Sequence, residues 1–187
     1  GTGRFEGGAM VYDVRQGSRG ATFLPAKLQD IDVVAFSPDE SLLMIGGQAI
    51  PPKKRVRRGR GGQKEAPGMV RVFDVRFKKL LHTFKHDEVD YETGQVDKLD
   101  GVSAAEWGAD SSHIFSAGDD CCVRVWDTRR ATRDACMKTL GGHLNSVISL
   151  AVSHDMTRVI SGGDDHRLLY HSARTNDTCG LPEPINF

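Results

Sequence analysis

The sequence has no long apolar run, no net charge and few cysteines. No stretch approaches the roughly 18 apolar residues that a membrane-spanning helix needs. The 25 basic residues balance the 25 acidic ones, so bulk charge does not favour a polyanionic partner. The four cysteines form no C-x-x-C pair, and Cys121 and Cys122 are adjacent. We therefore expect a reduced, intracellular protein with no membrane span.

Motifs of the common enzyme classes are also missing. The glycines of residues 1–7 approach a dinucleotide-binding spacing, but the third is one position late and no helical pattern follows. Residues 61–64 lack the spacing and the hydroxyl group of a phosphate-binding loop. No H-E-x-x-H or G-x-S-x-G motif occurs. We predict a protein that is not an enzyme, with no catalytic residue, no metal site and no cofactor.

What the sequence does contain is a repeat of short strands and tight turns. The clearest copy spans residues 101–127, and residues 142–172 repeat it. An interrupted copy spans residues 31–74, and a remnant lies at residues 9–13. Alternating apolar positions predict strands, and the Gly, Asp, Ser and Pro clusters predict hairpins. Since no stretch resembles a crossover helix, we predict antiparallel strands.

Each copy closes on an Asp-x-Arg triplet. These triplets begin at Asp13, Asp74 and Asp127, and a degenerate one begins at Ser172. The interval without an insertion, from Asp127 to Ser172, is 45 residues. That length suits one four-stranded unit of a repeat protein.

These copies resemble the WD-repeat family. The matching motifs are Phe-Ser-Pro-Asp (36–39), Ser-Ala-Gly-Asp-Asp (116–120), Val-Trp-Asp (125–127), Gly-His (142–143) and Ser-Gly-Gly-Asp-Asp (161–165). The resemblance implies an all-β fold, a WD-repeat β-propeller with about three complete four-stranded blades and a partial one, from a probable seven-bladed ring. It divides residues 1–187 into a partial blade (1–25), a blade with a basic insertion at 48–67 (26–85), a blade with an acidic insertion at 87–100 (86–141), and a degenerate blade with a C-terminal tail (142–187).

So few blades do not close a ring. The start of the chain has neither an initiator methionine nor an apolar signal core, and it reads as a cut end. We expect the remaining blades to come from missing sequence or from a partner chain.

The resemblance also implies a buried structural network in each complete blade. By position its members are Ser116, Asp120 and Trp126 in one blade, and His143, Ser161 and Asp165 in the next. His86 is a candidate histidine for the first set, across the acidic insertion, and His171 stands where the family has tryptophan. These polar atoms need partners once they are buried, so we interpret them as structural groups.

The basic insertion has three interpretations. It carries a run of cations with no acid: Lys53, Lys54, Arg55, Arg57, Arg58 and Arg60. The run resembles a nuclear import signal that an importin reads, and it also resembles a short arginine–glycine segment that binds nucleic acid through residues 53–60. The third interpretation is a solvated loop drawn to the acidic insertion. In a WD-repeat propeller both insertions lie on the same face.

Residues 114–129 are similar, with one deviation at Phe115, to the sixteen-residue box of receptors for cullin-4 ubiquitin ligases. The stretch from residue 102 to 174 resembles their LEC14B-like subgroup. This resemblance implies that the closing arginine docks the ligase adaptor, because a guanidinium binds carboxylates or carbonyls in a fixed geometry. The adaptor-binding candidates are Arg15, Arg76, Asp127 and Arg129, and Arg174 occupies the same place. Alternatively, the arginine only ties down the end of a strand.

Two functional hypotheses follow from these features. The first is a non-enzymatic protein-interaction scaffold, as the substrate receptor of a nuclear cullin-RING ubiquitin ligase. The second is an RNA- or chromatin-associated scaffold that uses the basic insertion. A generic assembly platform is the third option. If the basic run is an import signal, the protein is nuclear. Without such a signal we expect a cytoplasmic protein.

Overall fold

The structure, a computed structural model, describes residues 7–15, 22–50, 67–86 and 101–172. Within these ranges the chain forms twelve β-strands and one short 3-10 turn, with no α-helix. None of these residues lies in a helix long and apolar enough to cross a membrane. The strands are β1 (Gly7–Val11), β2 (Thr22–Phe36), β3 (Leu42–Ala49), β4 (Gly68–Asp74), β5 (Lys79–His86), β6 (Val102–Trp107), β7 (His113–Gly118), β8 (Val123–Asp127), β9 (Cys136–Leu140), β10 (Val147–Val152), β11 (Arg158–Gly163) and β12 (Leu168–Ser172).

The strands form three sheets in chain order. Sheet A contains β1 to β5, sheet B contains β6 to β9, and sheet C contains β10 to β12. Every neighbouring pair is antiparallel, which confirms the prediction of antiparallel strands. Strand β2 changes partner along its length: residues 22–28 pair with β1, and residues 28–36 pair with β3.

The sheets pack face to face through their apolar side chains. Between sheets A and B the core contains Met44, Val72 and Phe84 on one side and Ile114 and Trp126 on the other. Between sheets B and C it is formed by side chains of Phe115, Ala117, Val123, Val125, Val147 and Val159. A third cluster joins β1 and the first half of β2 to β3 and β4. Residues that alternate along one strand thus serve two different interfaces.

A glycine ends the second strand of sheet B because two backbone segments meet there. A Cβ on Gly118 would overlap the carbonyl oxygen of Gly101. Gly47 stands at the same place in sheet A, against the carbonyl oxygen of Asp30. The close approach therefore explains why both copies have glycine at this position.

The array has two opposite edges that position the candidate sites. We call the first the arginine edge: it contains the turns at 37–41, 108–112 and 153–157 and the ends of β1, β4 and β8. The second is the insertion edge, where β3 and β5 end and β4 and β6 begin. The pairs Leu42↔Asp74 and Gln48↔Gly68 put the two ends of β4 on opposite edges. Both inserted segments therefore leave from the edge opposite Asp74 and Asp127.

Candidate functional site

A buried polar network joins sheet A to sheet B. His86, at the end of β5, contacts the Ser116 hydroxyl through Nε2 (2.6 Å) and the Asp120 carboxylate through Nδ1 (3.1 Å). The indole N–H of Trp126 donates to the same hydroxyl at 2.7 Å. Arg124 contacts both Asp120 and His86. His86 and Ser116 have no exposed surface, so this network is part of the interior.

Sheet C repeats the network with one change. His143 Nδ1 lies 3.0 Å from the Asp165 carboxylate, and its Nε2 lies 2.9 Å from the Ser161 hydroxyl. His171 Nε2, in the tryptophan position, lies 2.9 Å from that hydroxyl. Burial, together with the charge of His143, lowers the pKa of His171 to about 4. His171 is therefore neutral at physiological pH.

The order of aspartate, histidine and serine in these networks resembles a hydrolytic triad in its connectivity. The Ser116 and Ser161 side chains are both fully buried, so a substrate has no access to either hydroxyl. The arrangement gives the buried polar atoms hydrogen-bond partners across a sheet and into the adjacent turn. The predicted network members come together in this structural role.

At the arginine edge, Asp127 and Arg129 form a two-pronged ion pair. Arg129 Nε donates to Asp127 Oδ1 at 2.9 Å, and Nη2 donates to Oδ2 at 3.2 Å. The hydrogen bond from the Arg129 side chain lowers the pKa of Asp127 to about 2, against the opposing effect of burial. The Asp127 side chain is 8% exposed, whereas the Arg129 side chain is 64% exposed. The carboxylate thus holds an otherwise exposed guanidinium in place.

The other two predicted arginines lie at the same edge but are held differently. The backbone N–H of Arg15 donates to Asp13 at 2.8 Å, as that of Arg129 does to Asp127 at 3.0 Å. In the remaining triplet, the Asp74 carboxylate accepts instead from the backbone N–H of Phe77. Arg15 and Arg76 are both exposed. Of the predicted adaptor-binding residues, only Asp127 and Arg129 pair with each other through their side chains.

The sequence did not predict three neighbours of this pair as site residues: Arg130, His113 and Asp110. Arg130 contacts Asp127 at 3.4 Å, and its side chain is 53% exposed. His113 lies opposite Asp127 in the ladder and contacts Asp110 at 2.6 Å. The sequence signal for Arg130 is its place beside Arg129, while the ladder register alone brings His113 to Asp127.

Beside them an open groove of about 220 Å³ lies between sheets B and C. Its lining mixes apolar and charged side chains, including Phe115, Met137, Lys138 and Met156. Among the residues that the structure describes, no cluster of three or more His, Cys, Asp or Glu side chains is arranged to hold a metal ion.

Several predicted features fall outside the described ranges. These are the basic residues Lys53, Lys54, Arg55, Arg57, Arg58 and Arg60, the acidic insertion at 87–100, and Arg174. Their roles stay predictions, as does the division of the chain into blades with the boundaries given above.

Comparison with known proteins identifies the repeat. Residues 92–127 and 134–171 each match the family model described as "WD domain, G-beta repeat". Autophagy-related protein 16 of Arabidopsis thaliana is 31% identical over 68 residues, which is 36% of this chain and 13% of that protein. A solved structure titled "Crystal Structure of Mitotic Checkpoint Complex" contains a chain that matches with a TM-score of 0.64 at 20% identity. That match covers 94% of this chain and 45% of the other.

These findings confirm the predicted fold class, an all-β partial propeller that contains two WD40 repeats. The chain spans less than half of the matched solved chain and about an eighth of the plant relative. The structural likeness, at 20% identity, supports the fold alone.

Proposed function

Because the chain carries two WD40 repeats in a run of stacked sheets, we propose that it is a protein-interaction scaffold. More specifically, we propose that it is a substrate receptor of a nuclear cullin-RING ubiquitin ligase. The observation that carries the finer proposal is the Asp127–Arg129 pair at the arginine edge. The ligase adaptor would dock on this edge.

The pair gives Arg129 the properties of a docking group. A guanidinium has five N–H donors, and Asp127 engages its Nε and Nη2 atoms. The remaining donors are directed away from the carboxylate, on a side chain that is 64% exposed. Because Asp127 fixes the orientation, less side-chain entropy is lost when a partner carbonyl or carboxylate binds. Arg130 adds a second exposed cation to the same carboxylate.

The two edges allow an adaptor and a target to bind at the same time. The ends of β3 and β5, from which the chain continues into the two insertions, lie at the insertion edge, while Arg129 lies at the arginine edge. A target held at the insertion edge would therefore not compete with an adaptor for surface. This separation is what a substrate receptor requires.

Arginine substitutions at the arginine edge test the receptor proposal. In a binding assay with a purified cullin-4 adaptor, Arg129→Ala combined with Arg76→Ala should weaken binding roughly ten- to hundredfold. Arg133→Ala is the matched control, because Arg133 follows on the same loop with its side chain 87% exposed and paired to Asp134. Equal adaptor binding by the double variant and the control would remove the proposal.

A second candidate function rests on the six cations of residues 53–60, which no acidic residue interrupts. Such a run would bind the phosphates of RNA or of chromatin DNA, and each phosphate contact adds roughly 0.7–0.9 to the salt dependence of binding. Deleting residues 53–60 should abolish nucleic-acid binding and its salt slope. Unchanged binding after the deletion, or no binding by the intact chain, rules this candidate out.

The same run is proposed to direct the protein to the nucleus through an importin. Fusing residues 48–67 to a fluorescent protein should move that protein into the nucleus. A fusion in which Lys53, Lys54 and Arg55 are replaced by alanine should stay in the cytoplasm. Equal distribution of the two fusions would argue against an import signal.

A further inference from the structure

The connection between β8 and β9 carries two arginines shortly before a threonine. It reads Arg129-Arg130-Ala131-Thr132, and Thr132 is the one serine or threonine of the sequence with arginine at both the second and the third position before it. Protein kinases select substrates by charge pattern, and an acidic substrate groove selects cations at such positions. The pattern has a function only where the fold makes the hydroxyl accessible.

The fold exposes this segment and anchors both of its ends. Residues 129–134 are all exposed, while Thr128 and Ala135 on either side are buried, at 9% and 0% exposure. The backbone N–H and the hydroxyl of Thr128 both donate to the Ser112 carbonyl oxygen at 2.9 Å. We call residues 129–134 the loop tip. Because the loop tip lies outside the strands, a kinase can bind it without opening a sheet.

Ser161 shows the opposite case inside sheet C. It also follows an arginine at the third position, Arg158. Ser161 is fully buried, and its hydroxyl lies 2.9 Å from both His143 and His171. No kinase reaches this hydroxyl in the folded chain. Exposure therefore separates Thr132 from a residue that shares part of its sequence pattern.

We propose that Thr132 is a phosphorylation site for an arginine-directed protein kinase. The Thr132 hydroxyl oxygen bonds to the γ-phosphorus of Mg-ATP while the bond from that phosphorus to the β-phosphate oxygen breaks. ADP leaves, and the hydroxyl proton passes to the catalytic aspartate of the kinase. Arg129 and Arg130 exchange Asp127 for acids of the kinase. Their side chains are 64% and 53% exposed, and ion pairs of such exposed cations exchange at little cost.

The phosphate would lie among cations that can hold it. The loop tip contains Arg129, Arg130 and Arg133 against one acid, Asp134. Arg130 contacts its carboxylate partner at 3.4 Å, which leaves its guanidinium donors open to a closer anion. A phosphate carries a charge of about −1.5 to −2 at pH 7 and accepts charge-assisted hydrogen bonds from guanidinium groups. Phosphorylation therefore turns a cationic loop tip into a nearly neutral one.

This change acts on the arginine edge, and its consequence for binding rests on the proposed function. Arg129, the proposed adaptor-docking group, lies three residues before Thr132. A phosphate on Thr132 competes with adaptor carbonyls and carboxylates for the arginine donors, and it repels the carboxylates. Phosphorylation thus weakens adaptor binding at the arginine edge.

Mass spectrometry of the folded chain tests the site itself. The probe is the catalytic subunit of the cyclic-AMP-dependent protein kinase with Mg-ATP, since this kinase selects arginine at both positions. We expect a phosphoryl group on Thr132 and none on Ser161. Thr132→Ala should remove that group, Thr132→Ser should restore it, and Arg129→Ala with Arg130→Ala should prevent its transfer. An unmodified Thr132 in the folded chain overturns the proposal, whether or not a peptide of residues 126–136 is modified.

Adaptor binding by the phosphorylated chain tests the consequence. With the purified cullin-4 adaptor as the probe, the phosphorylated chain should bind at least about tenfold more weakly than the unmodified chain. Kinase-treated Thr132→Ala is the matched control and should bind as tightly as the untreated chain. Equal binding by the phosphorylated and unmodified chains overturns the regulation. If the unmodified chain does not bind the adaptor either, the receptor function and its regulation both fail, whereas the mass spectrum alone decides the phosphorylation site.

Discussion

Sheets B and C hold their third strands with the same buried network but with different side chains at its end. Trp126 donates to Ser116 at 2.7 Å and stacks on Phe84 of sheet A, with ring centroids 5.0 Å apart and planes 11° apart. His171 reaches the equivalent Ser161 at 2.9 Å. The described residues include no aromatic stack on His171. Trp126 thus combines its hydrogen bond with a ring stack on the neighbouring sheet, whereas the buried His171 makes the hydrogen bond without a ring stack among the described residues.

Sheet A shows a third solution at the same two positions. Ile45 stands where the other sheets have serine, and Phe73 stands where they have tryptophan or histidine. Both are buried, at 0% and 2% exposure, in an apolar cluster with Leu24 and Leu28. Strands β4, β8 and β12 therefore share the need for a large side chain at their next-to-last residue. The polar network is added only where a serine and a histidine are present to complete it.

We expect the largest difference in stability between the two sheets from alanine substitutions at the equivalent positions Trp126 and His171. Trp126→Ala removes a large ring from the core between sheets A and B and should lower the free energy of unfolding by about 3–5 kcal/mol. His171→Ala should cost roughly half as much, because it removes a smaller ring. Urea denaturation of both variants measures the difference, and equal losses would show that the stack on Phe84 contributes nothing.

The second effect is a pH dependence that belongs to sheet C. An unfolded histidine takes up a proton near pH 6.5, whereas His171 in the folded chain does so near pH 4. Between these values the unfolded chain binds the extra proton, so this part of the stability is complete above pH 6.5 and is lost as the pH falls toward 4. The loss between these two pH values is roughly 3 kcal/mol.

His171→Phe, which places the phenylalanine of sheet A in sheet C, removes the titrating group and is the comparison for that effect. Denaturation of both proteins between pH 4.5 and 7 should show a shallower slope for the variant. Identical slopes for the two proteins would mean that His171 does not carry the effect.

The smallest effect is expected at the arginine edge. Arg129→Ala breaks an ion pair whose cation is largely exposed and screened by solvent, so the free energy of unfolding should fall only slightly. The same substitution should weaken adaptor binding much more strongly under the proposed function. A thermal unfolding scan measures the stability loss, and a loss as large as that of Trp126→Ala would make Arg129 a structural group instead.

The sequence predicts the central strands well because their pattern is strong. In the copy at residues 101–127 it predicts short strands joined by hairpins, and the structure has β6, β7 and β8 there. Strands β5 and β9, the last strands of sheets A and B, have no motif of their own, and β5 is exposed over its first three residues. The place of His86 depends on the β4–β5 ladder, which pairs it with Gly68, so spacing along the chain left it uncertain.

The side-chain geometry of the arginine edge was less predictable. The three Asp-x-Arg triplets have the same sequence pattern. Among the described residues, however, only Asp127 and Arg129 form the two-pronged pair. The Asp74 carboxylate accepts from Phe77 instead, because the turn after β4 continues differently. Local turn conformation, which the triplets do not specify, decides between these outcomes.

The central claim is that neighbouring sheets act as one unit through the network of His86, Ser116 and Trp126. A double-mutant cycle with His86→Ala and Trp126→Phe tests it most directly, since His86 belongs to sheet A and Trp126 to sheet B. We predict a coupling energy of at least about 1 kcal/mol in the free energy of unfolding. Losses that add within roughly 0.3 kcal/mol would contradict the account.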